Sequence, residues 1–225
     1  MVFRIDTEGE PYFPNPEYGE PGGLLAIGGN LTKEWLLVAY ANGIFPWFSF
    51  RDYDAPHWYC PMERFVILPE EIHVSHSMRN MMNKRKYGVT FNHAFKDVIE
   101  SCSRLRIDVD GAWLGPDMIE AYMRLHDAGR AASVEVWEGD ELVGGLYGVT
   151  SGHVFCGESM FSLRPGASKL ALIALARRLD EMQKLKGSRF LIDCQFETPH
   201  LRSMGGRHIP YSEYMRILRG LDNIQ

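Results

Sequence analysis

Residues 132–149, ASVEVWEGDELVGGLYGV, constrain the fold more than any other part of the chain. Two runs of alternating apolar and polar residues flank Glu138-Gly139-Asp140, a pattern that predicts a β-hairpin. HVFCGESMFS, residues 153–162, reads as a third strand that breaks into a turn. Residues 167–185 place Leu172, Leu175, Ala176 and Leu179 on one stripe, which predicts a long helix. FLIDCQ, residues 190–195, reads as a further strand. Hairpin, strand, long helix and strand in that order imply an α+β or α/β mixed sheet with a helix packed on it.

The rest of the chain fits around that frame. Residues up to about 30 are loop-like, because PYFPNPEYGEPGG is crowded with Pro, Gly and Asn. Thr32 is placed to cap a short helix with Leu36, Leu37 and Tyr40 on its apolar side, stopped by Gly43. Ser75 is placed to cap a helix carrying Met78, Met81 and Met82. Asn92 is placed to cap one carrying Phe95, Val98, Ile99 and Cys102. Pro116 opens another, with Ile119, Tyr122 and Leu125 or His126 on one side, ended by Gly129. The Pro-rich stretch from Ala55 to Met62 marks a boundary between a small N-terminal domain, residues 1–62, and the remainder, residues 63–225. The formal charge of −5 excludes a chain coated in positive charge but allows a local basic patch. Neither the N-terminus nor any later stretch is apolar enough for a signal peptide or a membrane span. The four cysteines are widely separated and form no C-x-x-C pair, so a structural zinc site is not expected. A reduced, cytoplasmic protein is expected.

Chemistry concentrates at strand ends. In FLIDCQFETPH, strand alternation puts Asp193 and Gln195 on one face and Cys194 on the other. A buried carboxylate is costly unless paired or used; the plainer reading is a strand that ends here with a solvated polar pair. GESMFS, residues 157–162, fails the G-x-S-x-G test of a serine hydrolase, because Phe161 stands at the second glycine position. Cys194 with His200 could be a thiol nucleophile and its base, against a plain core role for the thiol. RPGASK, residues 164–169, opens the long helix with a glycine and small residues, as an anion such as a coenzyme A pyrophosphate would require. HVSHSMRNMMNKRKYG carries Arg79, Lys84, Arg85 and Lys86 with no acid between them, either a phosphate-contacting patch or a solvated face. Trp47, Trp58, Tyr59 and Trp113 are either base-stacking or core residues.

Taken together, FPNPEYGEPGGLLAIGGNLTKEWLLVAYANGIFPWFS, EAYMRLHDAGRAASVEVWEGDELVGGLYGV, FCGESMFS, LIDCQ and HLRSMGGRHIP resemble the leucyl/phenylalanyl-tRNA–protein transferase family. The stretches run in similar order and spacing over nearly the whole chain. The resemblance implies an α+β fold, with a small N-terminal domain joined to a C-terminal mixed-sheet domain resembling the GNAT (N-acetyltransferase-like) fold. It implies transfer of leucine, phenylalanine or methionine from aminoacyl-tRNA to the α-amine of proteins beginning with Arg or Lys, which marks them for N-end-rule degradation. No metal and no coenzyme are implied, and a monomer is expected. By the same resemblance, Gln195 orients the acceptor amine and Asp193 stabilises the developing ammonium. Glu158 meets the acceptor's cationic side chain or serves as a further orienting group. Leu146, Phe155, Leu172, Leu175, Leu179 and Ile192 would form the donor side-chain pocket. Trp47 and Trp113 would stack on the terminal adenosine, and Arg79, Lys84, Arg85 and Lys86 would meet acceptor-stem phosphates. The chain departs from the family pattern at Ala132, where a histidine is common in A-H-S-x-E, and at Asn30, where Asp is frequent. Asn80 and Asn83 stand in the basic helix where cations are expected. Two rivals remain at this point. An acetyl-CoA-dependent N-acetyltransferase would want a fuller glycine pattern than RPGASK. A non-catalytic tRNA-binding protein would leave Asp193, Gln195 and Glu158 without a use.

Overall fold

The loop-like N-terminal stretch contains a sheet. In the computed structural model, which describes residues 2–47, 55–106 and 114–222, four short strands pair in the order β1-β2-β4-β3. They are β1 (Phe3–Ile5), β2 (Leu24–Gly28), β3 (Phe45–Pro46) and β4 (His57–Tyr59). Aromatic packing holds them: Phe13 meets Trp35 and Trp58 edge-on, and Trp58 Nε1 donates to the Gly28 carbonyl at 2.8 Å. Helix α1 (Lys33–Ala41) starts where Thr32 Oγ1 accepts from Trp35 N, and Gly43 leaves it at φ 67°.

The seven-stranded sheet begins at Glu63. Its strands are β5 (Glu63–Ile67), β6 (Gly88–Phe91), β7 (Ala131–Glu138), β8 (Glu141–Ser151), β9 (Val154–Ser162), β10 (Leu191–Asp193) and β11 (Arg207–Pro210), in the order β11-β5-β10-β9-β8-β7-β6. The predicted hairpin is β7–β8, turning through Gly139 at φ 61°. β9 and β10 are the sheet's parallel pair. A parallel pair needs a long crossover, and α5 (Ala167–Lys186) supplies it. Its buried stripe packs with Val134, Val136, Leu146, Phe155 and Ile192 on one face of the sheet. The other face is covered by α1, α3 (Phe95–Arg106), α4 (Pro116–Asp127) and α7 (Tyr211–Leu218). That second core is continuous from Trp35 and Trp58 to Tyr147 and Tyr214, so both sheets close on it. Two more helices, α2 (His76–Asn83) and α6 (Pro199–Ser203), flank the sheet. No described helix is long and apolar enough to cross a membrane.

Two details differ from the sequence reading. Asn92 does not cap α3. It sits at φ 58° with Oδ1 3.0 Å from His126 Nε2, and the Glu135 carboxylate of β7 accepts instead from His93 N and Ala94 N. A tertiary acceptor has displaced the local cap. The strand FLIDCQ is also shorter than its apolar run suggests: β10 stops at Asp193, because Gln195 turns into the left-handed region at φ 62°.

Candidate active site

β10 pairs with β9 only through Leu191–Asp193 against Val154–Cys156. Beyond that point β9 runs on without it, and a notch opens between them. A register shift opposite Tyr147 and Gly148 leaves Glu158 as the extra residue of β9. Bulges of this kind re-aim a side chain. Here the bulge turns Glu158 into the protein, where it is 7% exposed.

Three donors converge on that carboxylate. Tyr40 Oη donates to Oε1 at 2.7 Å, Tyr122 Oη to Oε2 at 2.8 Å, and Gln195 Nε2 to Oε1 at 3.0 Å. The two tyrosine hydroxyls are themselves 3.0 Å apart. Burial outweighs the donors and raises the Glu158 pKa to about 7. Burial also pushes both tyrosines well above their ordinary range, so they remain O–H donors. In the sequence Tyr40 and Tyr122 are only members of apolar helix stripes. Nothing in α1 or α4 marks a hydroxyl that will meet a bulge residue from a distant strand.

The cavity in the notch has a volume of about 240 Å³. Leu146, Phe155, Leu172, Leu175 and Ile192 line it, with Glu158, Cys194, Gln195, Phe196 and Trp47. Leu179, one turn further along α5, lines a neighbouring cavity instead. Trp47 is 45% exposed and leans on Tyr59 and Phe196. Trp113 lies outside the described residues.

Asp193 is not among the lining residues. It is fully buried, ion-paired with the Arg64 guanidinium, and accepts from Gln195 N at 2.8 Å. The expectation that Asp193 and Gln195 share a face fails because the left-handed turn at Gln195 ends the alternation. Cys194 and Gln195 face the cavity, and Asp193 faces the core. Arg64, absent from the sequence reading, is 1% exposed. It also donates to the Gly43 carbonyl at 2.6 Å and lies against the rings of Phe45 and Tyr214. Glu63–Ile67 starts a strand in an unremarkable apolar run, so the sequence gives Arg64 no signal.

The thiol reading weakens here. Burial, with the charge of Asp193, pushes the Cys194 thiol well above its ordinary pKa, which suppresses the thiolate. His200 lines a different cavity, with Arg164, Ser168 and Lys169 at the start of α5. In that RPGASK turn Gly166 has φ 81°, and Ser162 Oγ already accepts from Ser168 N. The basic segment is part helix and part turn: Arg79 lies in α2, Lys84 caps it, and Arg85 has φ 50°. Arg79, Lys84 and Arg85 are exposed, and Arg79 donates to the Val74 carbonyl. Lys86 is ion-paired to Glu138 at 2.9 Å. No group of three metal-ligating side chains is found among the described residues.

Comparison with known proteins follows the same outline. The family model described as leucyl/phenylalanyl-tRNA protein transferase matches residues 66–219, and the model of that family's N-terminal domain matches residues 29–62. The leucyl/phenylalanyl-tRNA–protein transferase of Flavobacterium psychrophilum is 47% identical over 209 residues, 92% of this chain and 95% of that one. Its counterpart from an Anaeromyxobacter species is 47% identical over 224 residues, 98% of this chain and 91% of that one. Among solved structures, a ribosomal-protein-alanine N-acetyltransferase from Brucella melitensis aligns at 16% identity over 42% of this chain and 72% of that one, with a TM-score of 0.31. With both models matched in order and near-half identity along almost its full length, the chain belongs to the leucyl/phenylalanyl-tRNA–protein transferase family.

Proposed function

We propose that this aminoacyltransferase moves leucine, phenylalanine or methionine from aminoacyl-tRNA to the N-terminal α-amine of proteins beginning with Arg or Lys, marking them for degradation. One observation carries the reading: a hydrocarbon-lined cavity whose mouth holds a carboxamide clamped by a buried carboxylate. A cavity of about 150 Å³ accepts a benzene ring, so this one has room for one large apolar side chain. Polar side chains would lose their hydration without replacement.

The aminoacyl ester is already activated, so no covalent enzyme intermediate is needed. The amine nitrogen bonds to the ester carbon, the ester C–O bond breaks, and one amine proton passes in net to the ribose oxygen that leaves. What the protein supplies is position. An ionised Glu158 can only accept, so it holds Gln195 by its Nε2 end and turns Oε1 toward the cavity. That oxygen accepts an N–H bond from the incoming amine and aims its lone pair at the ester. With both carboxylate oxygens occupied by three donors, Glu158 is the orienting group of the two alternatives. A free acceptor amine has a pKa of about 7.7–8, so part of it is neutral at physiological pH. Trp47, an exposed aromatic among the residues lining the cavity, stacks on the terminal adenosine in this reading.

Arg79, Lys84 and Arg85 are taken as the phosphate contacts, with Lys86 partly neutralised by Glu138. Lys84→Gln with Arg85→Gln is expected to weaken aminoacyl-tRNA binding and to lower the log–log salt slope by about 2, since each lost phosphate contact removes nearly one. Lys86→Gln is expected to move it less. Filter binding across a salt series reads both, and an unmoved slope in the double variant makes the patch a solvated face.

The reaction itself is tested with radiolabelled leucyl-tRNA and two peptides, one starting with Arg and one with Ala. Label on the Arg peptide alone is the expected result. Label on neither, with tRNA still bound, would favour the non-catalytic reading.

A further inference from the structure

The donor cavity has a neighbour under the same helix. A second, mainly apolar cavity of about 280 Å³ is walled by Ala132, Val134, Leu179, Met182 and Phe190, among others. Two side chains belong to both walls, Phe155 and Leu175. Each is 5% exposed, so they are buried from solvent while bordering two cavities. The Phe155 ring lies against Gly148, where an added Cβ would come within 2.5 Å of its Cε1 and 2.8 Å of its Cζ. Ala132 is the cross-strand partner of Gly148. Gly148 therefore backs the ring, while Ala132, paired with it across the strands, lies in the wall of the second cavity.

We propose that Phe155, backed by Leu175, is the gauge of donor side-chain length, dividing the donor pocket from a second cavity that would otherwise extend it. This rests on the reading of the first cavity as the donor side-chain site. The physics is local. A donor side chain enters between Leu146, Leu172 and Ile192 and meets the Phe155 ring. An elongated aromatic side chain must displace that ring, and the ring cannot sink away from it because the Gly148 backbone lies behind. Without the ring, the added length enters space already lined by hydrocarbon. Position 132 then sets how much of that space exists, because a longer side chain there fills it from the far side.

The test compares tRNA acylated with phenylalanine and tRNA acylated with 4-phenylphenylalanine as donors to an Arg-initiated peptide. The readout is the ratio of kcat/KM for the long donor to that for phenylalanine. Phe155→Ala is expected to raise the ratio by about tenfold or more, the scale on which apolar pockets discriminate by size. Adding Ala132→Leu to Phe155→Ala is expected to return the ratio most of the way. Phe155→Val asks the same question with a smaller volume change where the alanine variant does not fold, as judged by its thermal melt. An unchanged ratio in the folded variant overturns the gauge, as does an Ala132→Leu addition without effect. Leu172→Trp, which fills the first cavity, separates this failure from the larger one. If it leaves phenylalanine transfer untouched, the donor-pocket reading falls. If it blocks transfer while Phe155→Ala leaves the ratio unmoved, only the gauge falls.

Discussion

Arg64→Met is expected to destabilise the protein by about 3–5 kcal/mol, the usual consequence of removing one partner from a buried ion pair. Adding Asp193→Asn to the same chain is expected to return most of that loss. Arg64 and Asp193 are 1% and 0% exposed, so neither charge has water to fall back on. Burial opposes the guanidinium's charge, and Asp193, with Tyr214 and Cys60, outweighs it, holding the Arg64 pKa above its ordinary value. Deleting Arg64 alone leaves a carboxylate in the core. Deleting both charges leaves an amide that can still accept from Gln195 N. The recovery is incomplete because the Gly43 carbonyl also loses its donor, a cost of about 1 kcal/mol. Denaturant unfolding of the two single variants and the double variant measures the coupling. Single-turnover transfer then decides what Asp193 is for. If it acts by holding the 193–195 turn, the folded double variant stays within about tenfold of the parent, because its Asn keeps an acceptor for Gln195 N. If its charge stabilises the reacting ammonium directly, the same variant loses about 100-fold or more.

What is legible in the sequence depends on how far along the chain each element finds its partners. The β7–β8 hairpin, α5 and the caps at Thr32 and Ser75 are set by neighbours a few residues away, and local pattern finds them. The N-terminal sheet is built from strands of two to five residues that pair Phe3 with Ala26 and Leu24 with Tyr59. Strands that short have no periodicity to read. The strand end at Asp193 was visible, but its geometry was not, because one left-handed residue redirects the side chains that follow. Glu158 and Gln195 stand out in the sequence as polar residues beside apolar runs. Their supports, Tyr40 in α1, Arg64 in β5 and Tyr122 in α4, lie on three elements far away in sequence, and only the packed core brings them together.

Gln195→Asn is expected to slow transfer by about 100-fold while aminoacyl-tRNA affinity stays within about threefold, because a displacement near 1 Å can cost that much in rate. Asparagine keeps the carboxamide and tolerates the left-handed backbone that position 195 requires. It is one methylene shorter, so its amide cannot both reach Glu158 and present its oxygen where glutamine does. Glu158→Gln asks the complementary question. A neutral amide can donate as well as accept, so it no longer dictates which end of Gln195 faces the cavity. Its pH dependence carries the sign. With its pKa raised to about 7, Glu158 takes up a proton as pH falls through neutrality, and transfer declines with it. That decline adds to the one set by the acceptor amine, and Glu158→Gln removes only the carboxylate's share. Stability runs the other way. A carboxyl whose folded pKa lies above its unfolded value favours the fold most at low pH, and loses that contribution as pH rises from the ordinary glutamate range through about 7. At pH 8 the buried anion therefore costs on the order of 3 kcal/mol. Glu158→Gln is expected to raise the melting temperature relative to the parent more at pH 8 than at pH 5. A gain that is the same at both values would mean that the three donors offset burial and that Glu158 stays ionised across this range. In that case the carboxylate keeps its clamp on Gln195 at both pH values, and the decline in transfer near neutrality belongs to the acceptor amine alone.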